Sequence, residues 1–468
     1  MSERADWTGA RVLVDSLIAY GVRQGFCVPG ESYLAVLDAL YDVQPRFDLI
    51  TCRHEAGAAN MAEAYGKLMG QPAVAFVTRG PGATHAAIGV HTAFQDSTPM
   101  ILIVGQVASD QRDREAFQEV DYRAMFQPLA KWVANIDRAD RVAEYVARAV
   151  KTATASRPGP VVLAVPEDML TAPAPKPRHQ GHPPIRSAPT REDLDRAMGR
   201  LARAQRPLAV LGGSGWTSAA VEAYADFARR HDLPTATAFR CQDLIDNDHP
   251  CYMGDLGLGS DPALVDRLTR ADVILALGPR LGEITTGGYQ RIVPPVPEQT
   301  LIHVHPGPEE LGRVYQGEFL INCGPVEFLR AVGPMDLGTS WADQRRAGRA
   351  ARDAWQQPVP APGAVNPSDI WAGLSERLPP ETIVTNGAGN FAGWVHRFYR
   401  HRRFRTQLAP TSGAMGYGVP AAIAAKHVHP DRPVVCAAGD GDALMSVAEL
   451  ATAVQYDAAV LYLAFDTA

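Results

Sequence analysis

The chain is predicted to fold as α/β, with three doubly wound domains built on parallel sheets. Two observations carry this expectation. Short apolar runs alternate with helical periodicity along the whole sequence, and the runs are almost continuously apolar, as strands covered on both faces must be. Two proline-rich stretches, at 171–189 and 356–367, break the alternation and read as extended linkers. The 468 residues suit about three domains. The expected boundaries are 1–170, 190–335 and 365–468, the third being short and incomplete for such a domain.

In the first block, strands are expected at Gly25–Val28, Ala73–Val77, Met100–Val104 and Val161–Val165, with helices at Glu55–Met69 and Asp140–Ala153 between them. The middle block repeats the habit at Leu208–Leu211, Val273–Leu277 and Leu301–Val304. The last block does so at Ile383–Val384, Val434–Ala437 and Val460–Ala464, with a helix-like run over Ala443–Val454.

Composition narrows the function classes. The chain is 46% apolar and 21% charged, with a net charge of −6. No global field draws it to nucleic acid or to anionic membrane. The N-terminus has no signal pattern, and no uncharged apolar run reaches the ~18 residues of a spanning helix. The six cysteines form no CxxC pair and read as free thiols in a reducing cytoplasm.

The chemistry-bearing segments follow strands, where ligand crevices of open parallel sheets lie. Pro29-Gly30 makes a tight turn. Glu55 stands where a helix begins. Thr78 leads into the glycine-bracketed loop Gly80-Pro81-Gly82-Ala83-Thr84. Gly439-Asp440-Gly441 follows the apolar run Val434–Ala438. A lone carboxylate between glycines suits a Mg²⁺ that itself holds a diphosphate, with helix N–H groups next to it for the anion.

These segments, in this order, resemble the thiamine-diphosphate (ThDP) enzymes of the acetolactate synthase-like group, which includes 2-oxoacid decarboxylases and carboligases. Further matching stretches are Asp96–Met100 leading to Gly105-Gln106, Ala116–Glu119, Arg157–Val161 and Ser412–Gly418. The resemblance implies ThDP and Mg²⁺ as cofactors. It implies that Glu55 hydrogen-bonds the pyrimidine nitrogen N1′, so that the cofactor's own amino group can act as base. Met415 would support the bent cofactor, and the Gly413 carbonyl would accept from the 4′-amino group. Pro29, Gly30, Thr78, Gly80 and Gly82 would border the pyrimidine end. Gly389, Asn390, Phe391, Gly439, Gly441 and Asp442 would border the diphosphate, with Asp440 on the metal. Gln106 could reach a substrate oxygen or merely cap its strand. The family's site lies between subunits, so a homodimer or homotetramer is expected.

The sequence also departs from the family. Its second metal ligand, an Asn 27 residues after the Asp, is replaced by Thr467, one residue before the end. We read that ending as a truncation. Arg79 and His85 stand where acetolactate synthases more often have Ser and Asn. FAD, bound by the middle domain of acetolactate synthases, has no clear motif here, because Gly278–Thr286 differs from the usual flavin-contacting segment. The expected reaction is decarboxylation of a 2-oxoacid, with or without carboligation. Two alternatives stand beside it: an acyl-CoA-type decarboxylase, without an adenine-nucleotide signature to support it, and a truncated non-catalytic homologue. The basic and aromatic run His396–Arg405 reads as a solvated face or subunit contact, and His303-Val304-His305 lacks a third ligand for zinc.

Overall fold

The computed structural model describes residues 7–181, 185–361 and 363–466. Three parallel-sheet α/β layers account for them. The first sheet comprises β1 (Gln24–Cys27), β2 (Asp48–Thr51), β3 (Ala73–Val77), β4 (Met100–Gln106), β5 (Trp132–Asn135) and β6 (Pro160–Pro166), in the order β2-β1-β3-β4-β6-β5. All of its pairings are parallel. The ends of β1, β2, β3 and β4 therefore open on one edge, which collects the turn at 29–30, Glu55, Thr78 and Gln106.

The second sheet comprises β7 (Pro207–Leu211), β8 (Thr235–Ala238), β9 (Tyr252–Leu256), β10 (Val273–Leu277), β11 (Thr300–His305) and β12 (Phe319–Asn322), in the order β12-β11-β10-β7-β8-β9. Alternation along its strands feeds two cores. Val273, Leu275 and Leu277 point into one, while Ile274 and Ala276 point into the other. Helices cover both faces, so residues of both parities must be apolar. Complete burial of one such leucine is worth about 1.5–3 kcal/mol.

The third sheet has four strands: β13 (Ile383–Asn386), β14 (Gln407–Leu408), β15 (Val434–Gly439) and β16 (Leu461–Phe465), in the order β14-β13-β15-β16. Phe465 stacks on Phe391 and Trp371, with ring centroids 5.9 and 6.2 Å apart.

Two compact units emerge. One is Met1–Pro184 with Pro410–Asp431 and Asp440–Leu461; the other is Ile185–Ala409 with Arg432–Gly439 and Tyr462–Ala468. In the first, the helix Glu55–Met69 packs on the helices Pro81–Asp96 and Gly418–Val428.

Two expectations are corrected. The helical run over Ala443–Val454 is broken into a short helix Asp440–Leu444, a 3₁₀ turn Val447–Glu449 and a helix Leu450–Gln455. Ser446 leaves the helical region at φ −135° and ψ 17°, and the flanking Asp442 and Glu449 carboxylates bond to backbone elsewhere in the unit. The run His396–Arg405 is not a solvated face. His396, Phe398, Tyr399 and His401 are buried, Arg397 lies 3.6 Å over the Trp355 ring, and Arg400 and Arg402 pair with Asp248. Burial pushes the His401 imidazole down to about 3, so it is a neutral core residue.

The cysteines are free, five of them buried and Cys241 half-buried. Among the described residues no helix is long and apolar enough to cross a membrane.

Candidate functional site

Glu55 opens its helix, and the His54 ring caps it by accepting the Ala56 N–H at 3.1 Å. Four N–H groups are unpaired at any helix start, and an acidic first residue is favoured by the dipole. The Glu55 side chain is 12% exposed, and its Oε2 lies 2.9 Å from His85 Nδ1. Gly82 faces it: a Cβ there would stand 3.3 Å from Glu55 Oε1 and 2.9 Å from Thr78 Cγ2. Gly30 is held equally close, its missing Cβ 2.6 Å from Thr78 Cβ. The hydroxyls of Ser32 and Thr78 are bonded at 2.8 Å. Gly80 has φ +59°, a left-handed value that favours glycine, and its N–H donates to the Tyr122 hydroxyl oxygen at 2.7 Å. The predicted residues Gly30, Glu55, Thr78 and Gly82 thus form one cluster, and Pro29 and Gly80 adjoin it along the chain.

A second cluster in the same unit is the loop Thr411–Tyr417. Asp96 accepts the Thr411 N–H at 2.7 Å and also bonds its hydroxyl. Thr92 and Ser412 hydroxyls meet at 3.1 Å. Asp442 accepts the Gly416 N–H at 2.6 Å, and Tyr417 donates to buried Glu63 at 2.5 Å. Between these anchors, Met415 is 44% exposed, a large share for an apolar side chain so firmly bracketed. Gly441 stands next to it, where a Cβ would be 3.7 Å from Met415 Cε. Gly413 has φ +68° and Asp440 is exposed.

Gln106 stands at the end of β4, on the same sheet edge as Thr78. Gln106 is 3% exposed and ties both ends of its amide to backbone, donating to the Val120 carbonyl and accepting the Val107 N–H. Gly439 ends β15 in the other unit, where Gly389 and Asn390 follow β13 and Phe391 begins a helix. Arg240 donates to the Gly387 carbonyl there at 3.1 Å. Thr467 lies outside the described residues.

Sequence reasoning missed three residues that hold these clusters. Glu449, 1% exposed, accepts the backbone N–H groups of Arg53 and His54 at 3.1 and 2.9 Å. Glu63 and Lys67 lie on the helix behind Glu55, with Lys67 2.5 Å from Asp96. Burial pushes the Glu63 carboxyl up to about 7, opposed by Lys67. Their only sequence signal was a pair of acids inside apolar helical runs.

The two clusters present a carboxylate in one place and an apolar side chain in the other, which suit a group with polar and apolar parts. Close glycine packing brings Thr78 against the Glu55 carboxylate in one cluster, and an exposed methionine stands in the other. Profiles described as thiamine pyrophosphate enzyme N-terminal TPP binding, central and C-terminal TPP binding domains match residues 7–125, 194–332 and 387–467. The chain is 30% identical to the probable acetolactate synthase large subunit of Methanocaldococcus jannaschii, over 98% of this chain and 80% of that protein. It is 29% identical to acetolactate synthase isozyme 2 large subunit of Escherichia coli, over 95% and 80%. It is also 30% identical to sulfoacetaldehyde acetyltransferase of Rhodobacter capsulatus, over 95% and 79%. The chain belongs to the thiamine-diphosphate enzyme family, within its acetolactate synthase-like group.

Proposed function

We propose that this protein is a ThDP- and Mg²⁺-dependent enzyme that decarboxylates a 2-oxoacid and passes the remaining fragment to a second carbonyl compound. The observation that carries this reading is the Glu55 carboxylate, 12% exposed at a helix start and faced by Gly82. When held by Glu55, Met415, Gly413 and Asp440 with its metal, ThDP would supply a nucleophilic carbon and an electron sink for decarboxylation.

The chain's own residues prepare that chemistry. Glu55 holds a proton in a hydrogen bond at the pyrimidine nitrogen. Gly30 and Gly82 let Thr78 pack closely beside Glu55, and Gly80 lets Gln118 approach the same loop. Met415 gives the cofactor an apolar support, and the Gly413 carbonyl accepts from its amino group. Asp440 holds the metal, and Gly389, Asn390, Phe391, Gly439, Gly441 and Asp442 offer backbone and side-chain partners to the diphosphate. With its amide engaged on backbone, Gln106 shapes the end of β4.

The working form is a homo-oligomer. Supporting this, Leu444, Met445, Val447, Leu450 and Val454 form an exposed apolar stretch next to Met415. A reducing cytoplasm is its setting, consistent with six free cysteines.

The test is CO₂ release from a panel of 2-oxoacids, with and without ThDP and Mg²⁺, followed by product analysis for aldehyde or acyloin. Release that needs both additives, with acyloin formed, supports the reading. ThDP binding without CO₂ release across the panel would leave a non-catalytic homologue as the better description. Failure to bind ThDP with Mg²⁺ would overturn the reading.

A further inference from the structure

His54 and His85, which the proposed chemistry does not use, join Glu55 in one donor set. One nitrogen of each ring and one carboxylate oxygen lie within 4.8 Å of one another, and no other described residues form such a group. The two rings sit with centroids 4.5 Å apart, and His85 Nδ1 is already 2.9 Å from Glu55 Oε2. Helix geometry makes the set. His54 and Glu55 are consecutive at one helix start, and His85 lies in the second turn of the helix Pro81–Asp96. The side chain of His85 is half exposed, so an ion can reach the set from solvent.

Two imidazoles and one carboxylate match the preferences of Zn²⁺ and of Co²⁺, and are poor for Mg²⁺, which favours an all-oxygen octahedron. We propose that His54, Glu55 and His85 bind a divalent transition ion of the Zn²⁺ class. We further propose that this ion and the pyrimidine end of the cofactor exclude each other, because both require the Glu55 carboxylate. An ion bound here would be an inhibitor. Its ligation through His54 Nδ1 would exchange the Ala56 cap for a metal bond. The site itself stands independently of the assignment of Glu55 to the ring nitrogen; the exclusion rests on it.

The test uses the full chain, freed of divalent ions and titrated with Co²⁺. The expected result is a visible d–d absorption typical of four- or five-coordinate Co²⁺, bleached by Zn²⁺. His54→Ala and His85→Ala should each weaken Co²⁺ binding by roughly tenfold or more, with circular dichroism unchanged. ThDP with Mg²⁺ should then remove the band in proportion to cofactor bound. Absence of a band, or a band unchanged in both histidine variants, would overturn the site. A band that persists under saturating ThDP would overturn the exclusion. Glu55→Gln separates the two readings. The site predicts loss of Co²⁺ binding, whereas the cofactor assignment is tested by turnover in metal-free buffer supplemented only with Mg²⁺.

Discussion

The Glu449 carboxylate accepts the His54 backbone N–H at 2.9 Å, across 395 residues of sequence, and so holds the helix start from which Glu55 projects. The same carboxylate takes the Arg53 N–H and the Thr452 hydroxyl. It fills the space above Gly57, where a Cβ would come 2.2 Å from Oε1. A buried anion at a helix N-terminus gains from both the charge-assisted bonds and the dipole. Gly57 and Glu449 are therefore two halves of one fitting.

Glu449→Ala should cost roughly 2–4 kcal/mol, because two backbone donors lose their partner. Gly57→Ala should also destabilise, by displacing the carboxylate. The two should not add. In a double-mutant cycle read by urea unfolding, the second change should cost at least ~1 kcal/mol less in the presence of the first. Simple additivity would contradict the fitting.

Glu63 gives stability a pH dependence of defined sign. Burial raises its folded pKa to about 7 from the ordinary 4.5, so the folded state holds the proton more tightly than the unfolded chain does. The resulting stability is complete below about pH 4.5 and is lost as the pH rises through about 7. Glu63→Gln removes this dependence. Thermal midpoints of the wild type should therefore fall relative to Glu63→Gln across that interval. Parallel curves would contradict the assignment.

Asp96 anchors the loop that carries Met415. Its side chain is fully buried and meets both Lys67 and Thr411. Breaking a buried pair from one side costs about 3–5 kcal/mol, and Asp96→Asn should approach that range. Amide exchange should speed up within 411–417. An exchange rate unchanged there, despite lost stability, would show that the loop is held by its other anchors.

Asp440 tests the diphosphate end separately from the fold. It is exposed at the start of a short helix, so Asp440→Asn should change stability by no more than about 0.5 kcal/mol. If it holds Mg²⁺, ThDP affinity measured by calorimetry with the metal present should drop roughly tenfold or more. Equal affinity would remove Asp440 from the metal site.

Much of the fold was legible because parallel strands are written as apolar runs. β3, β4, β6 and β10 stand out in the sequence for this reason, and the Glu55–Met69 helix has matching ends. Two of the unrecognised strands are of another kind. β8 is Thr235-Ala236-Thr237-Ala238, buried throughout but weakly apolar, and β2 is an edge strand with an exposed Asp48. Neither shows a hydrophobic period. Around the site, Glu55, Gly82 and Met415 could be found because motif context names them. Glu449 could not, since its role depends on contact with residues nearly four hundred positions away. The basic run His396–Arg405 misled because charge was read as exposure. Arg397 instead stacks on Trp355, Arg400 and Arg402 pair with Asp248, and the histidines are neutral in the core.

In the proposed function Glu55 hydrogen-bonds the ring nitrogen of the cofactor. Steady-state turnover of Glu55→Gln, alongside ThDP binding by calorimetry, tests it most directly. The expected result is a fall in kcat of roughly 100-fold or more, the scale of lost acid–base assistance, with ThDP binding largely kept. Turnover retained at the wild-type level in the Gln variant would contradict it.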